Sequence, residues 1–336
     1  MKLLTITVPS YNSQDYLDKC IQSLLPGAPR VEIIIINDGS KDDTGKIADS
    51  YAQRYPDTVK VVHQENGGHG EGINQGLKLA TGTYFKVVDS DDQLSDDLSA
   101  FLDLLEDCEA KGGADLVVTN YRYCHTDGKG DHTIRYCNAL PADGIFGWEQ
   151  TKRFRLHQLL TIHSCTFRTD VMRQQSQPLP KHVFYEDNLM VYQCLPGIRR
   201  LRYMDADLYR YTIGREGQSV QEEATKKRYT HQLLVNERCF QVCHLDDIQP
   251  RQLKQYMKHE LFMLLAIGVN FTRLNRTKSA DADLKKMWQT CKTYDKKWAN
   301  YFRWRTPLTF LCFPGKPGQL ATLLIYRIAN KVIRFN

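Results

Sequence analysis

Thr83-Tyr84-Phe85-Lys86-Val87-Val88-Asp89-Ser90-Asp91-Asp92 runs from an apolar stretch straight into a cluster of acids. The apolar half reads as a strand buried on both faces, as strands of a parallel sheet are. Its carboxylates therefore emerge at the C-terminal end of a strand, the edge where doubly wound sheets bind ligands. Upstream, Glu71 to Ala80 reads as a helix ending at Gly82, and Val59 to His63 as a short strand. Ser40 to Tyr55 reads as a helix opened by Ser/Asp capping chemistry, preceded by the aliphatic run Ile33 to Ile36. Before that, Leu17, Ile21, Leu24 and Leu25 give helical spacing over Tyr16 to Leu25, and Leu3 to Val8 is a β-rich run stopped by Pro9. Downstream come a helix over Leu98 to Lys111 and a strand over Asp115 to Asn120. Strand–helix alternation with short connections predicts an α/β, mostly parallel, doubly wound sheet with right-handed crossovers.

The alternation stops after residue 120. Residues 121–225 mix strands with aromatic loops, and from about Glu222 the pattern turns helical: Leu233 to Val242, Leu253 to Phe271, Leu284 to Trp298 and Gln319 to Phe335. The expected organisation is a catalytic domain over 1–225, with halves 1–120 and 121–225, and a helical C-terminal region over 226–336. Charge divides at the same place. Residues 1–225 hold 24 Lys+Arg against 32 Asp+Glu, whereas residues 226–336 hold 21 against 7, so an acidic body precedes a basic tail. At 42% hydrophobic and 25% charged, the 336 residues are those of a globular chain rather than a disordered one. The ten cysteines stand singly, and Cys239, Cys243 and His244 have no second ligand pair nearby to make a zinc site, so a reducing cytosol is expected. The N-terminus is too short and polar before Pro9 for a signal peptide, and Leu261 to Val269 is far below the roughly 20 apolar residues that span a bilayer.

Each predicted parallel strand ends in a polar cluster: Val8-Pro9-Ser10-Tyr11-Asn12, Asn37-Asp38-Gly39-Ser40, Gln64-Glu65-Asn66-Gly67-Gly68-His69-Gly70 and Asp89-Ser90-Asp91-Asp92. Any one could be a helix cap or a turn; four at one sheet edge are hard to explain so. Three carboxylates within four residues repel one another unless a cation sits among them, and oxygen ligands suit Mg²⁺ or Mn²⁺. The alternative is an Asp-rich cap for the helix beginning near Leu98. Asp38 could accept a hydrogen bond from a base or ribose, or simply form an Asp-Gly turn. Asn66 to Gly70 offers backbone N–H groups before a helix, a setting that welcomes phosphate, with His69 as an ordinary loop residue. Glu186-Asp187 stands at a helix start, where the dipole favours acids or where a general base could take a proton from a hydroxyl. Arg215 to Ser219 is a basic, glycine-containing loop able to close over a diphosphate or to lie in solvent.

Taken in order, these clusters resemble glycosyltransferase family 2, the inverting enzymes of the GT-A fold, over roughly residues 1–220. The resemblance implies a nucleotide-sugar donor, a UDP-sugar first among them, and a lipid-linked or polysaccharide acceptor in cell-surface glycan synthesis. It places Pro9, Tyr11, Asn12, Asp38, Gly39, Asn66 and Gly67 around the nucleotide, and Asp89 and Asp91 as the D-x-D metal pair, with Asp91 the more direct ligand. Ser90 and Asp92 would face the donor or hold its loop, Asp187 would be the catalytic base positioned by Glu186, and Arg215 and Ser219 would cover the donor. Two positions depart from the family pattern. Ile73 stands where an arginine is frequent, leaving the diphosphate to the metal, Arg215 or Lys86, and Gln93 stands where a tryptophan often follows the acids.

In the tail, Leu324, Ile325, Ile328, Val332 and Phe335 fall at helical spacing beside Arg327, Lys331 and Arg334. This basic amphipathic pattern fits an anionic membrane surface, with Leu308, Phe310, Leu311 and Phe313 near Trp304 as a further apolar anchor. The alternative is a helix packed on the rest of the protein. Interleaving of basic with apolar residues argues against nucleic acid. Together these features imply a cytoplasmic enzyme, peripheral on the inner face of the cell membrane. Two other functions compete: a sugar-phosphate nucleotidyltransferase, which would need a basic glycine-rich triphosphate loop that Val8 to Asn12 lacks, and a non-catalytic nucleotide-sugar- or glycan-binding protein, against which the retention of all the acids argues.

Overall fold

The computed structural model describes residues 2–214, 222–275 and 277–312. The chain forms two compact units, Met1–Ile213 and Gly214–Asn336. Arg215, Ser219 and the helix expected over 319–335 lie outside the described residues.

In the first unit the chain runs β1 (Leu4–Ser10), α1 (Leu17–Leu24), β2 (Val31–Asp38), α2 (Thr44–Arg54), β3 (Val59–Gln64), α3 (His69–Leu79), β4 (Tyr84–Val87) and β5 (Gln93–Leu94). It continues through α4 (Leu98–Ala110), β6 (Leu116–His125), β7 (His132–Ile134), β8 (Cys165–Arg168), α5 (Thr169–Gln175), α6 (Glu186–Cys194) and β9 (Leu201–Ile213). Nine strands make one sheet in the order β3-β2-β1-β4-β8-β6-β9-β5, with β7 beside β6. β1 pairs parallel with β2 and β4, β2 with β3, and β6 with β9. β8 is antiparallel to both β4 and β6, so β6 runs the same way as β4. The mostly parallel sheet is as expected, and its antiparallel members β5, β7 and β8 all come after β4.

Strand order decides where a ligand can sit. β2 and β3 lie on one side of β1 and β4 on the other, so the chain reverses direction between β1 and β4 and opens a crevice at their C-terminal ends. Right-handed crossovers then put α1 and α2 on one face and α3 on the other. The centre of the sheet is aliphatic and aromatic: Leu4, Ile6, Val8, Ile33 to Ile36, Tyr84 and Phe85 are all fully buried. α3 lies very close to its neighbours through a glycine face. A Cβ on Gly72 would meet Pro9 at 2.9 Å, one on Gly70 would meet Glu186 Cγ at 2.9 Å, and one on Gly76 would collide with the Thr7 side chain.

Two boundaries differ from expectation for identifiable reasons. α2 begins at Thr44 rather than Ser40, because Ser40 and Asp42 serve the first loop instead: Ser40 Oγ accepts from the Asn12 amide at 3.0 Å and Asp42 Oδ2 from the Gln14 amide at 3.1 Å. The acid cluster does not cap α4, which starts beyond β5 with Asp97 as its preceding residue.

The described residues of the second unit are helical: α7 (Glu222–Lys227), α8 (Tyr229–Val242), α9 (Arg251–Asn275), α10 (Lys278–Tyr294), α11 (Lys296–Trp304) and α12 (Leu308–Leu311). Leu261 to Val269 belongs to α9, where Leu261, Leu264, Leu265 and Val269 are buried as core. The single helix expected over 284–298 is two, broken at Asp295, whose carboxylate accepts the Trp298 amide at 3.0 Å and so caps α11. No helix among the described residues is long and apolar enough to cross a membrane.

Candidate active site

The four strand-end clusters meet at the crevice. The first loop is tied to the second and fourth: the Lys41 amide donates to Asn12 Oδ1 at 2.8 Å, and Ser13 Oγ meets Ser90 Oγ at 2.7 Å. Pro9 is buried against Gly72, while Tyr11 projects with 52% of its surface exposed. Tyr11, Gly39, Lys41, His63 and Asn66 line an open cleft of about 540 Å³. Gly39 turns the chain there with φ of +71°, and its missing side chain lets the Asn66 amide approach.

Asp38 is buried, and its carboxylate serves its own neighbours. Oδ1 accepts from Gln64 Nε2 at 2.7 Å and the Gly67 amide at 2.8 Å, and Oδ2 from the Gly68 amide at 2.8 Å. The two amides expected to greet phosphate are therefore committed to Asp38, which anchors the glycine loop. Asn66 is held as well, donating to the Asp38 carbonyl at 2.9 Å.

His69, the first residue of α3, occupies the centre. Its Nδ1 lies 2.7 Å from Glu186 Oε1 and its Nε2 2.9 Å from Asp89 Oδ1. Burial alone would lower its pKa; Asp89 and Glu186 outweigh burial and hold it well above the usual histidine value. Glu186 and Asp187 form the first turn of α6, behind Tyr185, whose φ of +70° is a conformation tyrosine rarely adopts. Burial pushes Asp187 up to about 7, with Glu186 and Asp89 reinforcing the shift and His69 opposing it. Asn188 Nδ2 steadies Asp187 Oδ1 at 3.0 Å.

The acid loop divides its carboxylates between two tasks. Asp92 is fully buried; the Tyr209 hydroxyl donates to its Oδ2 at 2.8 Å and the Thr212 amide to its Oδ1 at 2.8 Å. Of the two roles expected for Asp92, facing the donor or holding the loop, these contacts fit the second. Asp89 and Asp91 are half-buried. Ligating atoms of Asp89, Asp92 and His163 lie within 4.8 Å of one another, a grouping that leaves out Asp91. His163 is packed between Tyr211, with ring centroids 4.5 Å apart, and Tyr209, at 4.8 Å. Burial pushes it down to about 4, so the ring is neutral at physiological pH, with Nε2 3.9 Å from Asp89 Oδ2. The carboxylate oxygens suit a hard cation such as Mg²⁺ or Mn²⁺, and a neutral imidazole beside them adds a nitrogen donor that transition-type ions accept.

Lys86, one suggested partner for the diphosphate, is buried beneath this cluster. Its ammonium donates to the His163 carbonyl at 2.9 Å and the Cys165 carbonyl at 3.2 Å, which removes it from the ligand side. Ile73 is buried as well. Two histidines stand at the centre: His69, expected as an ordinary loop residue, and His163, which the sequence expectations do not include. A histidine directly after Gly-Gly at a strand-end helix start was the available signal for the first; His163 sits in irregular chain that carries no periodic signal.

An acid loop at the switch point of a mostly parallel sheet, faced by a second acid pair from a later helix, is an arrangement of the GT-A fold. The sequence model of glycosyl transferase family 2 matches residues 5–179, more than half of the chain, and the chain belongs to that family. Glycosyltransferase GlyG of Streptococcus pneumoniae is 35% identical over 130 residues, 38% of this chain and 42% of GlyG. The chain spans 30 to 61% of the length of this and other leading curated relatives. Among solved structures, residues 1–349 of S. aureus TarS in complex with UDP-GlcNAc superpose with a TM-score of 0.59 at 19% identity, covering 90% of this chain and 92% of that one. Mannosyltransferase PcManGT from Pyrobaculum calidifontis, in complex with GDP-Man and Mn²⁺, gives 0.53 at 14% identity, covering 90% and 87%. At these identities the likeness establishes the fold.

Proposed function

We propose that the chain moves a sugar from a nucleoside-diphosphate sugar, a UDP-sugar first among candidates, to a hydroxyl of a polysaccharide or lipid-linked acceptor in cell-surface glycan synthesis, with inversion and a divalent cation. One juxtaposition carries the reading: Glu186 and Asp187 stand across His69 from Asp89, setting a base for the acceptor opposite the carboxylate expected at the leaving group. Asp187 takes the acceptor proton as the acceptor oxygen bonds to the anomeric carbon. The bond from that carbon to the phosphate oxygen breaks, and the nucleoside diphosphate leaves with the electron pair. Because Asp187 removes a proton rather than bonding to the sugar, a single displacement inverts the centre.

Tyr11 offers its exposed face to the base in the cleft with Gly39 and Asn66, while Asp38 keeps Gly67 in place. Asp89 and Asp91 would hold the cation, with His163 as a nitrogen donor. A cation held by these residues would neutralise charge on the leaving diphosphate. Asp92 and Ser90 hold the loop from behind, and Arg215 and Ser219 remain candidates to cover the donor. UDP-GlcNAc in TarS and Mn²⁺ in PcManGT support these choices of nucleotide and cation.

A nucleotide-sugar panel read by thermal shift tests the reading. The true donor at 100 times its Kd adds about 2.7 kcal/mol, so one sugar nucleotide should raise Tm by several degrees with Mn²⁺ present. Added acceptor should then release nucleoside diphosphate. Release of pyrophosphate instead would mark a nucleotidyltransferase.

The same proposal extends to an anionic membrane surface on the cytoplasmic side. In the second unit Trp304 is 58% and Phe310 65% exposed, beside exposed Arg305, whereas Leu308 and Leu311 of the expected anchor are buried core. A truncation at 306 would therefore strip that core, so residues 319–336 should be removed and Phe310→Ser added. That variant should lose sedimentation with phosphatidylserine vesicles and keep donor hydrolysis. Unchanged sedimentation would reject the membrane role.

A further inference from the structure

His69 belongs to none of the roles assigned so far, yet it is the piece that joins them. It reaches Asp89, 20 residues on, with one ring nitrogen and Glu186, 117 residues on, with the other. Its position is set independently from both sides. Asp38 fixes the two preceding glycines, and Asn74 grips Leu179 twice, donating to its carbonyl at 3.0 Å and accepting its amide at 2.9 Å. The His182 amide donates to the Gly67 carbonyl at 2.8 Å, so the stretch leading into α6 is knitted to the stretch leading into α3. Gly70 has no side chain, and that lets the Glu186 stem come alongside the ring.

We infer that His69 is a positioning residue for the transfer, a strap that holds the acid loop after β4 in register with the start of α6. The inference rests on the glycosyltransferase reading of those acids. It adds a coupling: the carboxylate on the leaving-group side and the pair on the acceptor side move as one piece. The ring also stands between acids that would otherwise face each other. Asp187 feels the charge of Glu186 on its own helix, of His69 from α3 and of Asp89 from the loop after β4.

His69→Ala and His69→Gln in the full chain test this, with Mn²⁺ and UDP-GlcNAc as probes beside the donor found in the panel. A misplacement of about 1 Å costs about 100-fold, so His69→Ala should lose about that in kcat with donor KM little changed. Its acidic pH limb should move upward, because Asp187 then faces Glu186 and Asp89 without the ring. His69→Gln should recover part of kcat, since an amide can still reach one carboxylate, but not the pH limb. Hydrogen exchange without ligand should quicken in both 86–95 and 181–190 in the alanine variant. Unchanged exchange in either segment overturns the strap. So does a loss lying wholly in KM or Tm with an unmoved pH limb. A wild-type chain that turns over no donor counts against the glycosyltransferase reading, and the exchange data then judge the strap alone.

Discussion

Asp187→Asn is expected to lower the transfer rate constant by about 1,000-fold, within the range that a positioned general base contributes, while leaving donor affinity nearly unchanged. If the carboxylate serves the acceptor as proposed, removing its charge takes away proton abstraction and not nucleotide contacts. Its pKa of about 7 sets the pH dependence. Below that value the base is protonated and idle, so wild-type kcat should rise as pH passes through about 7 and then level. Stability should run the opposite way. An ordinary aspartate titrates near 3.9, and a folded value raised above it means that the native state binds the proton more tightly than the unfolded chain. That stabilisation is complete below about pH 4 and is lost as pH rises through about 7. Asp187→Asn should therefore melt higher than wild type at pH 8 and lack the acidic limb of activity. Near-normal turnover in the variant would remove Asp187 from the role.

Chelation should have the second large effect. A cation at a phosphoryl oxygen supplies several kcal/mol of charge stabilisation, which converts to about 100-fold or more in rate. EDTA should depress turnover by that factor and Mn²⁺ restore it. Asp89→Asn should weaken Mn²⁺ binding in calorimetry, since Asp89 is common to the D-x-D pair and to the grouping with His163. Asp91→Asn and His163→Ala then separate the second ligand. Asp92→Asn should act through Tyr209 and Thr212, loosening the loop and lowering Tm more than Mn²⁺ affinity. Full activity in EDTA would contradict the metal assignment.

The parallel half of the sheet was legible because β1, β2 and β4 are continuous buried runs, and each ends in a polar cluster whose edge the doubly wound topology dictates. The pairing of β8 between β4 and β6 was not, since it joins segments about 80 and about 50 residues apart with no local signal. In the site, Asp187 and Asp89 stood out as acids at element ends. Asp38 and Asp92 looked the same in sequence, yet their lone pairs are taken by glycine amides and by Tyr209 and Thr212. Whether a loop carboxylate faces a ligand or its own backbone depends on chain segments far away. His69 was illegible for the same reason: its two partners arrive only once the chain has closed.

The glycine face of α3 bears on engineering. Exchanging glycine for alanine inside a helix is a routine stabilising step, gaining about 1 kcal/mol per site in intrinsic helix propensity. In α3 that gain is closed off at three of eleven positions, because the added methyl at 70, 72 or 76 meets Glu186, Pro9 or Thr7. The segment is a poor helix former by composition and is helical because its neighbours shape it. Consensus-style hardening of this scaffold should look to α2 or α4 and leave α3 alone. A library that randomises α3 would return its losses first at the residues that let His69 and Glu186 meet.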